Sequence, residues 1–178
     1  MADIILAGFG GQGVLTAGMI LINAAAATGK EVSWTSSYGA EMRGGTASCS
    51  VVISEEEIGS PYPTTLDMLV VMNEPSYHKF IGMVKDGGIV VVNTSLVKDV
   101  TYPETVNVYE VDATDMANGI SNPRGTNLVM LGGLMKASGM MGKEAFAEQL
   151  NAFFDKKGKN TPKNEECFAM GYDQAVKK

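Results

Sequence analysis

The sequence predicts an α/β fold: a three-layer α/β/α arrangement around a mostly parallel but mixed sheet, in a single domain spanning residues 1–178. Three observations carry this. Residues 3–7, 66–72 and 89–92 are short, nearly continuous runs of Ile, Leu, Val and Met, the pattern of strands buried on both faces. Segments with apolar residues at helical spacing lie between and after them. The first apolar run passes straight into Gly8-Phe9-Gly10-Gly11-Gln12-Gly13 and then into a helical pattern, so strand, glycine loop and helix follow one another.

Asp3-Ile4-Ile5-Leu6-Ala7 is the first strand. Val14, Leu15, Ala17, Ile20, Leu21 and Ala24–Ala27 define a helix over 14–27 that ends near Gly29. Residues 31–35 form a second strand, and 36–45 read as loop. From Thr46 to Ser54 the chain alternates, with Ala47, Cys49, Val51 and Ile53 on one side and Thr46, Ser48, Ser50 and Ser54 on the other. Period two predicts a half-exposed strand, and with no helix before it this strand should break the parallel pattern. Residues 66–72 are the next strand, followed by Asn73-Glu74-Pro75 and a short helix; Asn73 or Glu74 suits its cap and Pro75 its first turn. An Asp86-Gly87-Gly88 turn leads into a strand at 89–92, and 106–111 is the last strand. Helices are predicted at about 126–140, 143–155 and 163–176, with Thr126 or Asn127 as a candidate cap. Gly132 and Gly133 inside a helix imply close approach of another backbone. Met130, Met135, Met140 and Met141 suit either an adaptable core or a subunit interface.

Net charge is −6, which argues against a nucleic-acid partner, since that footprint needs a basic stripe. No apolar stretch is long and continuous enough to span a bilayer, and Met1-Ala2-Asp3 has no basic n-region, so a cytoplasmic protein without a membrane partner is expected. The two cysteines, Cys49 and Cys167, form no CxxC pair; a cluster takes four thiolates, so this chain cannot hold one alone. Cys49 reads as a small buried hydrophobe. His78, the only histidine, reads as a solvated helix residue, and the ligands for zinc are missing.

Two constellations point to a ligand. Gly10, Gly11, Gln12 and Gly13 can bring backbone N–H groups and a positive helix end close to a phosphate; the same glycines also suit a tight turn with close helix packing. An NAD site further requires an acid at the end of the second strand, where Thr35-Ser36-Ser37 stands instead. The second constellation is Ser36-Ser37-Tyr38-Gly39-Ala40-Glu41-Met42-Arg43-Gly44-Gly45, on the same rim of a parallel sheet. Arg43 there can clamp a phosphate or carboxylate, or pair with Glu41 to shape the loop.

Taken together and in order, Gly8–Val14, Ser37–Ala47, Asn73–Ser76 and Asn127–Gly132 resemble the gamma subunit of 2-oxoacid:ferredoxin oxidoreductases, more the 2-oxoglutarate and 2-oxoisovalerate members than the pyruvate ones. The resemblance runs along nearly the whole chain. It implies the gamma-subunit fold of pyruvate:ferredoxin oxidoreductase. It also implies a multi-subunit enzyme that decarboxylates a 2-oxoacid on thiamine diphosphate, passes electrons through iron–sulfur clusters to ferredoxin and forms an acyl-coenzyme A. Alpha and beta subunits, with or without a delta subunit, would be the partners and would carry the thiamine diphosphate, magnesium and clusters. This chain would have no catalytic residue of its own. Gly10, Gly11, Gln12, Gly13, Ser37, Tyr38, Arg43, Gly44 and Asn127 would meet coenzyme A or wall the active site. Two other readings stay open: a stand-alone nicotinamide or flavin dehydrogenase, and a non-catalytic nucleotide-binding or assembly module.

Overall fold

Hydrogen bonding across a seven-stranded sheet organises the chain, in the order β2-β3-β1-β4-β5-β6-β7. The structure is a computed structural model and describes residues 1–38 and 45–178. The strands are β1 (Ala2–Phe9), β2 (Glu31–Tyr38), β3 (Thr46–Ser54), β4 (Leu66–Val71), β5 (Val84–Asn93), β6 (Asn107–Val111) and β7 (Val176–Lys177). The helices are α1 (Val14–Ala26), α2 (Glu74–Phe80), α3 (Ala113–Gly119), α4 (Thr126–Ser138), α5 (Lys143–Asp155) and α6 (Pro162–Gln174).

The sheet is mixed, with β1, β4, β5 and β6 paired in parallel. β3 runs antiparallel to both β1 and β2, and β7 antiparallel to β6. β1 and β2 therefore point the same way, and the alternating strand at 46–54 breaks the parallel pattern as its sequence predicts. It is not half-exposed, however. Its central place between β1 and β2 leaves every residue buried or half-buried, including Val52 and Ser54.

Each face of the sheet has its own core. On one face Leu6, Val51, Val70 and Val91 pack with α1, α4, α5 and α6 around Phe146, Phe168 and Leu131. On the other, Ile5, Leu69, Val90 and Val108 are covered by Tyr77 and Phe80 of α2 and by Val97 from the connection before β6. α4 is buried all round over most of its length: Thr126 to Met135 are all buried. It reaches this depth because Gly132 and Gly171 let α4 and α6 cross backbone to backbone; a Cβ on either glycine would overlap a carbonyl oxygen of the facing helix, Phe168 or Val129. The prediction for Gly132 holds, whereas Gly133 faces Val111 and Val91 of the sheet.

Four local expectations are corrected. β2 continues through Ser36, Ser37 and Tyr38, because these residues pair with Cys49, Ser48 and Ala47. The Asp86-Gly87-Gly88 turn is a bulge inside β5, where the register to β4 slips and Gly87, at φ 78°, donates to the Thr105 carbonyl. Neither Thr126 nor Asn127 caps α4; a 3₁₀ turn at Pro123–Gly125 feeds the helix, and Gly125 stands at the cap position. α3 and β7 had no counterpart in the sequence reading; both are short, and pattern alone identifies such elements poorly. Among the described residues no helix is long and apolar enough to cross a membrane.

Candidate functional site

The carboxyl ends of β1 and β4 meet where their connections diverge, with α1 returning over one face of the sheet and α2 over the other. Open α/β sheets bind ligands at such a rim. The glycine loop sits here. Gly13 adopts φ 76°, in the left-handed region, and starts α1 with no capping side chain. Its carbonyl accepts both from the Ala17 amide at 2.9 Å and from Asn127 Nδ2 at 3.0 Å. The amino ends of α1 and α4 are thereby joined, and a Cβ at residue 13 would lie 2.5 Å from Asn127 Nδ2. Asn127 is 4% exposed, and its Oδ1 has no partner among the described residues.

The loop amides divide into two sets. Gly10 donates to the Gly45 carbonyl at 3.3 Å and Gln12 to the Phe9 carbonyl at 3.2 Å. The amides of Gly11 and Gly13, and of Val14, Leu15 and Thr16 in the first turn of α1, have no partner among the described residues. Those first-turn residues, with Phe9, Gly10, Gly11, Gly13, Tyr38 and Ala47, line a cleft of about 220 Å³. Among the described residues nothing lies within 4 Å of where a Cβ would stand on Gly10 or Gly11, so none of them blocks close approach to the backbone there. The helix end supplies positive potential as well as donors.

Gln12 behaves differently from its glycine neighbours. Its side chain turns inward, with Oε1 accepting from the Phe9 amide at 2.6 Å and Nε2 donating to the Met72 carbonyl at 3.3 Å. Tyr38 is 66% exposed at the end of β2, beside the cleft, and Ser37 next to it is exposed. The structure thus brings Gly10, Gly11, Gly13, Ser37, Tyr38 and Asn127 to one rim. Arg43 and Gly44 lie outside the described residues.

Sequence reasoning missed Asn93, the fully buried last residue of β5. Its Nδ2 donates to the same Met72 carbonyl at 3.2 Å and to Thr114 Oγ1 at 2.9 Å, and its Oδ1 accepts from the Thr114 amide at 3.3 Å. The available signal was an amide side chain ending an apolar strand, in Ile89-Val90-Val91-Val92-Asn93. Asn73 acts as expected: its side chain accepts from the Ser76 amide at 2.9 Å and caps α2.

The remaining candidates are structural. Cys49 is buried beneath α1, with Sγ 3.6 Å from the Val14 carbonyl, and burial pushes its thiol up to about 12. Burial also raises Cys167, which packs against Gly125 and accepts from Asn122. His78 is solvated, its side chain 63% exposed and 3.6 Å from Glu74. A second, mostly apolar cavity of about 160 Å³, lined in part by Leu21, Ile53, Met135, Met141 and Phe146, lies at the opposite rim near Met1.

The chain is thus an open α/β domain with a glycine loop and an uncapped helix end at the carboxyl rim of its sheet. Residues 3–174 match the pyruvate ferredoxin/flavodoxin oxidoreductase family, and the chain belongs to it. The chain is 41% identical over 174 residues to the ketoisovalerate oxidoreductase subunit VorA of Methanothermobacter marburgensis, an alignment covering 97% of this chain and 36% of that protein. It thus spans about a third of that relative's length. Among solved structures, the gamma subunit of a keto/oxoacid ferredoxin oxidoreductase from Geobacter sulfurreducens superposes with a TM-score of 0.79 at 26% identity, over 97% of each chain. The 2-oxoglutarate:ferredoxin oxidoreductase from Magnetococcus marinus, solved with 2-oxoglutarate, coenzyme A and succinyl-CoA bound, matches with a TM-score of 0.78 at 25% identity, over 98% of this chain and 30% of that one.

Proposed function

We propose that residues 1–178 form one gamma-type domain that serves as a subunit of a 2-oxoacid:ferredoxin oxidoreductase. The complex converts a 2-oxoacid and coenzyme A to an acyl-coenzyme A and CO2 while reducing ferredoxin in the cytoplasm. The VorA relative and the 2-oxoglutarate enzyme support a 2-oxoisovalerate or 2-oxoglutarate type of substrate.

The single observation that carries this chain's own part is the uncapped amino end of α1 opening into the cleft beside Tyr38. Coenzyme A fits that cleft by chemistry: its phosphates need donors, and the amides of Gly11, Gly13 and the first turn of α1 are donors without partners among the described residues. Arg43 adds a guanidinium to the same phosphates, or lines the mouth of the thiamine site. Ser37, Tyr38, Gly44 and Asn127 shape the wall. The chain contributes positioning rather than bond-making groups. Coenzyme A itself supplies the thiol that takes up the acyl group.

The donor set does not fit an iron–sulfur cluster, because the chain has two cysteines, both buried, and a cluster takes four thiolates. Alpha and beta subunits, with or without delta, would hold the clusters, thiamine diphosphate and magnesium.

The test is anaerobic affinity purification of the chain from its native cell, followed by viologen reduction dependent on a 2-oxoacid and coenzyme A. Co-purifying thiamine and cluster subunits with activity on one 2-oxoacid support the assignment; a chain that comes away alone and inactive overturns it. In the assembled enzyme Arg43→Ala is expected to raise the coenzyme A KM about tenfold, the loss of one charge-assisted contact. Unchanged coenzyme A kinetics would remove Arg43 from the site.

A further inference from the structure

The geometry points to Gln12 as a positioning residue: its side-chain amide sets the shape of the glycine loop from behind, without touching the ligand. This rests on the reading that coenzyme A phosphates meet the loop.

The carboxamide of Gln12 occupies the crevice between β1 and β4, the switch point at which a dinucleotide would cross a Rossmann sheet. It fits there because residue 8 has no side chain; a Cβ on Gly8 would lie 2.5 Å from Gln12 Oε1 and 2.9 Å from Met72 Cβ. Both ends of the amide are engaged. Oε1 fixes the Phe9 amide, where β1 gives way to the loop, and Nε2 reaches Met72 at the end of β4. The Met72 carbonyl is in turn held by Asn93, and Asn93 by Thr114. A line of amide hydrogen bonds thus ties the loop to the ends of β4 and β5 and to the start of α3. The filled crevice displaces the ligand toward β3 and β2, where the open cleft lies. Side-chain amides suit the task because one group both accepts and donates, and this half-buried pair of bonds fixes its orientation.

Two substitutions test this in the full-length chain. Gln12→Met keeps the volume and removes both bonds. Gln12→Glu keeps the acceptor but, when ionised, has no proton for the Met72 carbonyl; when protonated it can accept and donate as glutamine does. The readouts are amide hydrogen exchange at Phe9 and coenzyme A affinity by calorimetry, with thermal midpoints as a folding control.

In Gln12→Met, Phe9 exchange is expected to accelerate by about tenfold and the coenzyme A Kd to rise by a similar factor, the loss of a net hydrogen bond. Relative to wild type at the same pH, Gln12→Glu is expected to bind weakly at about pH 8 and to recover as the pH falls to about 4, across the carboxyl titration. Because loss of the carboxylate charge alone would restore phosphate affinity, the recovery counts for the proposal only if Phe9 protection, relative to wild type, recovers with it.

Unchanged Phe9 protection in Gln12→Met overturns the proposal. So does unchanged coenzyme A affinity in both variants while Arg43→Ala weakens it, and there the site reading survives. If wild type binds no coenzyme A, the site reading falls, and Phe9 exchange alone decides whether Gln12 holds the loop. If Gln12→Met fails to fold, Phe9 exchange in Gln12→Glu decides, and protection unchanged from wild type at about pH 8 overturns the proposal.

Discussion

The glycines of the rim loop and those of the α4–α6 crossing sit in opposite surroundings. Around Gly10 and Gly11 the position of a Cβ has no described residue within 4 Å, whereas at Gly132 and Gly171 a Cβ would stand inside the facing helix backbone. The first pair leaves a backbone open to a ligand; the second lets two helices approach until Cys167, Phe168 and α4 are sealed in the core. Gly13 combines both conditions, with φ 76° and Asn127 packed where its Cβ would be. The same residue type thus serves access in one region and packing in the other, and the surroundings decide which.

Substitutions separate the two regions. The largest effect is expected at the crossing. Gly171→Ala should destabilise the fold by about 3 kcal/mol or more, the upper end of overpacking costs, because the obstacle is backbone and cannot rotate away. That corresponds to a fall in thermal midpoint of roughly 6–12 °C. A midpoint within experimental error of wild type would show that the helices do not cross at Gly171.

Gly13→Ala comes next, at about 1–3 kcal/mol, since the new Cβ meets both an unfavourable φ and the Asn127 amide; the urea midpoint measures it. Gly10→Ala should leave stability unchanged within about 0.5 kcal/mol, as at an unencumbered surface site. The same variant should weaken coenzyme A several-fold, because the methyl group stands where the ligand approaches. If Gly10→Ala loses stability instead, the loop is packed like the crossing and the contrast breaks.

At neutral pH the smallest effect concerns Cys49, packed beneath the root of α1, because its thiol is protonated there in both the folded and the unfolded chain. Its native thiol is held protonated up to about 12 by burial, above the ordinary value of 9.0, so between these values the native state binds more protons than the unfolded chain. Stability should therefore fall as pH rises from 9 toward 12. At about pH 8, well below the titration, the native thiol should be inert to alkylation, since the thiolate is the reacting species. Rapid modification at that pH would mean that the root of the loop opens readily.

Much of this architecture was legible in the sequence. Continuous apolar runs marked β1, β4 and the second half of β5, and helical spacing placed α1, α4, α5 and α6 within about two residues of their ends, because burial on a sheet leaves a periodic trace. The break at β3 was visible for the same reason, through its period of two and the missing crossover helix. Tyr38, Ser37 and the loop glycines were assigned to one rim from strand direction alone. The extension of β2 was not legible, since Ser36 and Ser37 carry no strand preference of their own and are recruited by pairing with β3.

By itself the sequence determined the layers, the order of the main elements and the presence of a glycine loop at the head of a helix, all of which follow from local patterns of burial and turn chemistry. Tertiary structure alone decided what each polar residue of that loop does. Gln12 faces Met72, Asn127 reaches Gly13 across 114 positions, and Asn93 closes the line behind them. The physical reason is that a side-chain amide in a sequence shows only its capacity to donate and accept, and its partners exist only once distant segments of the chain are brought within about 3 Å of one another.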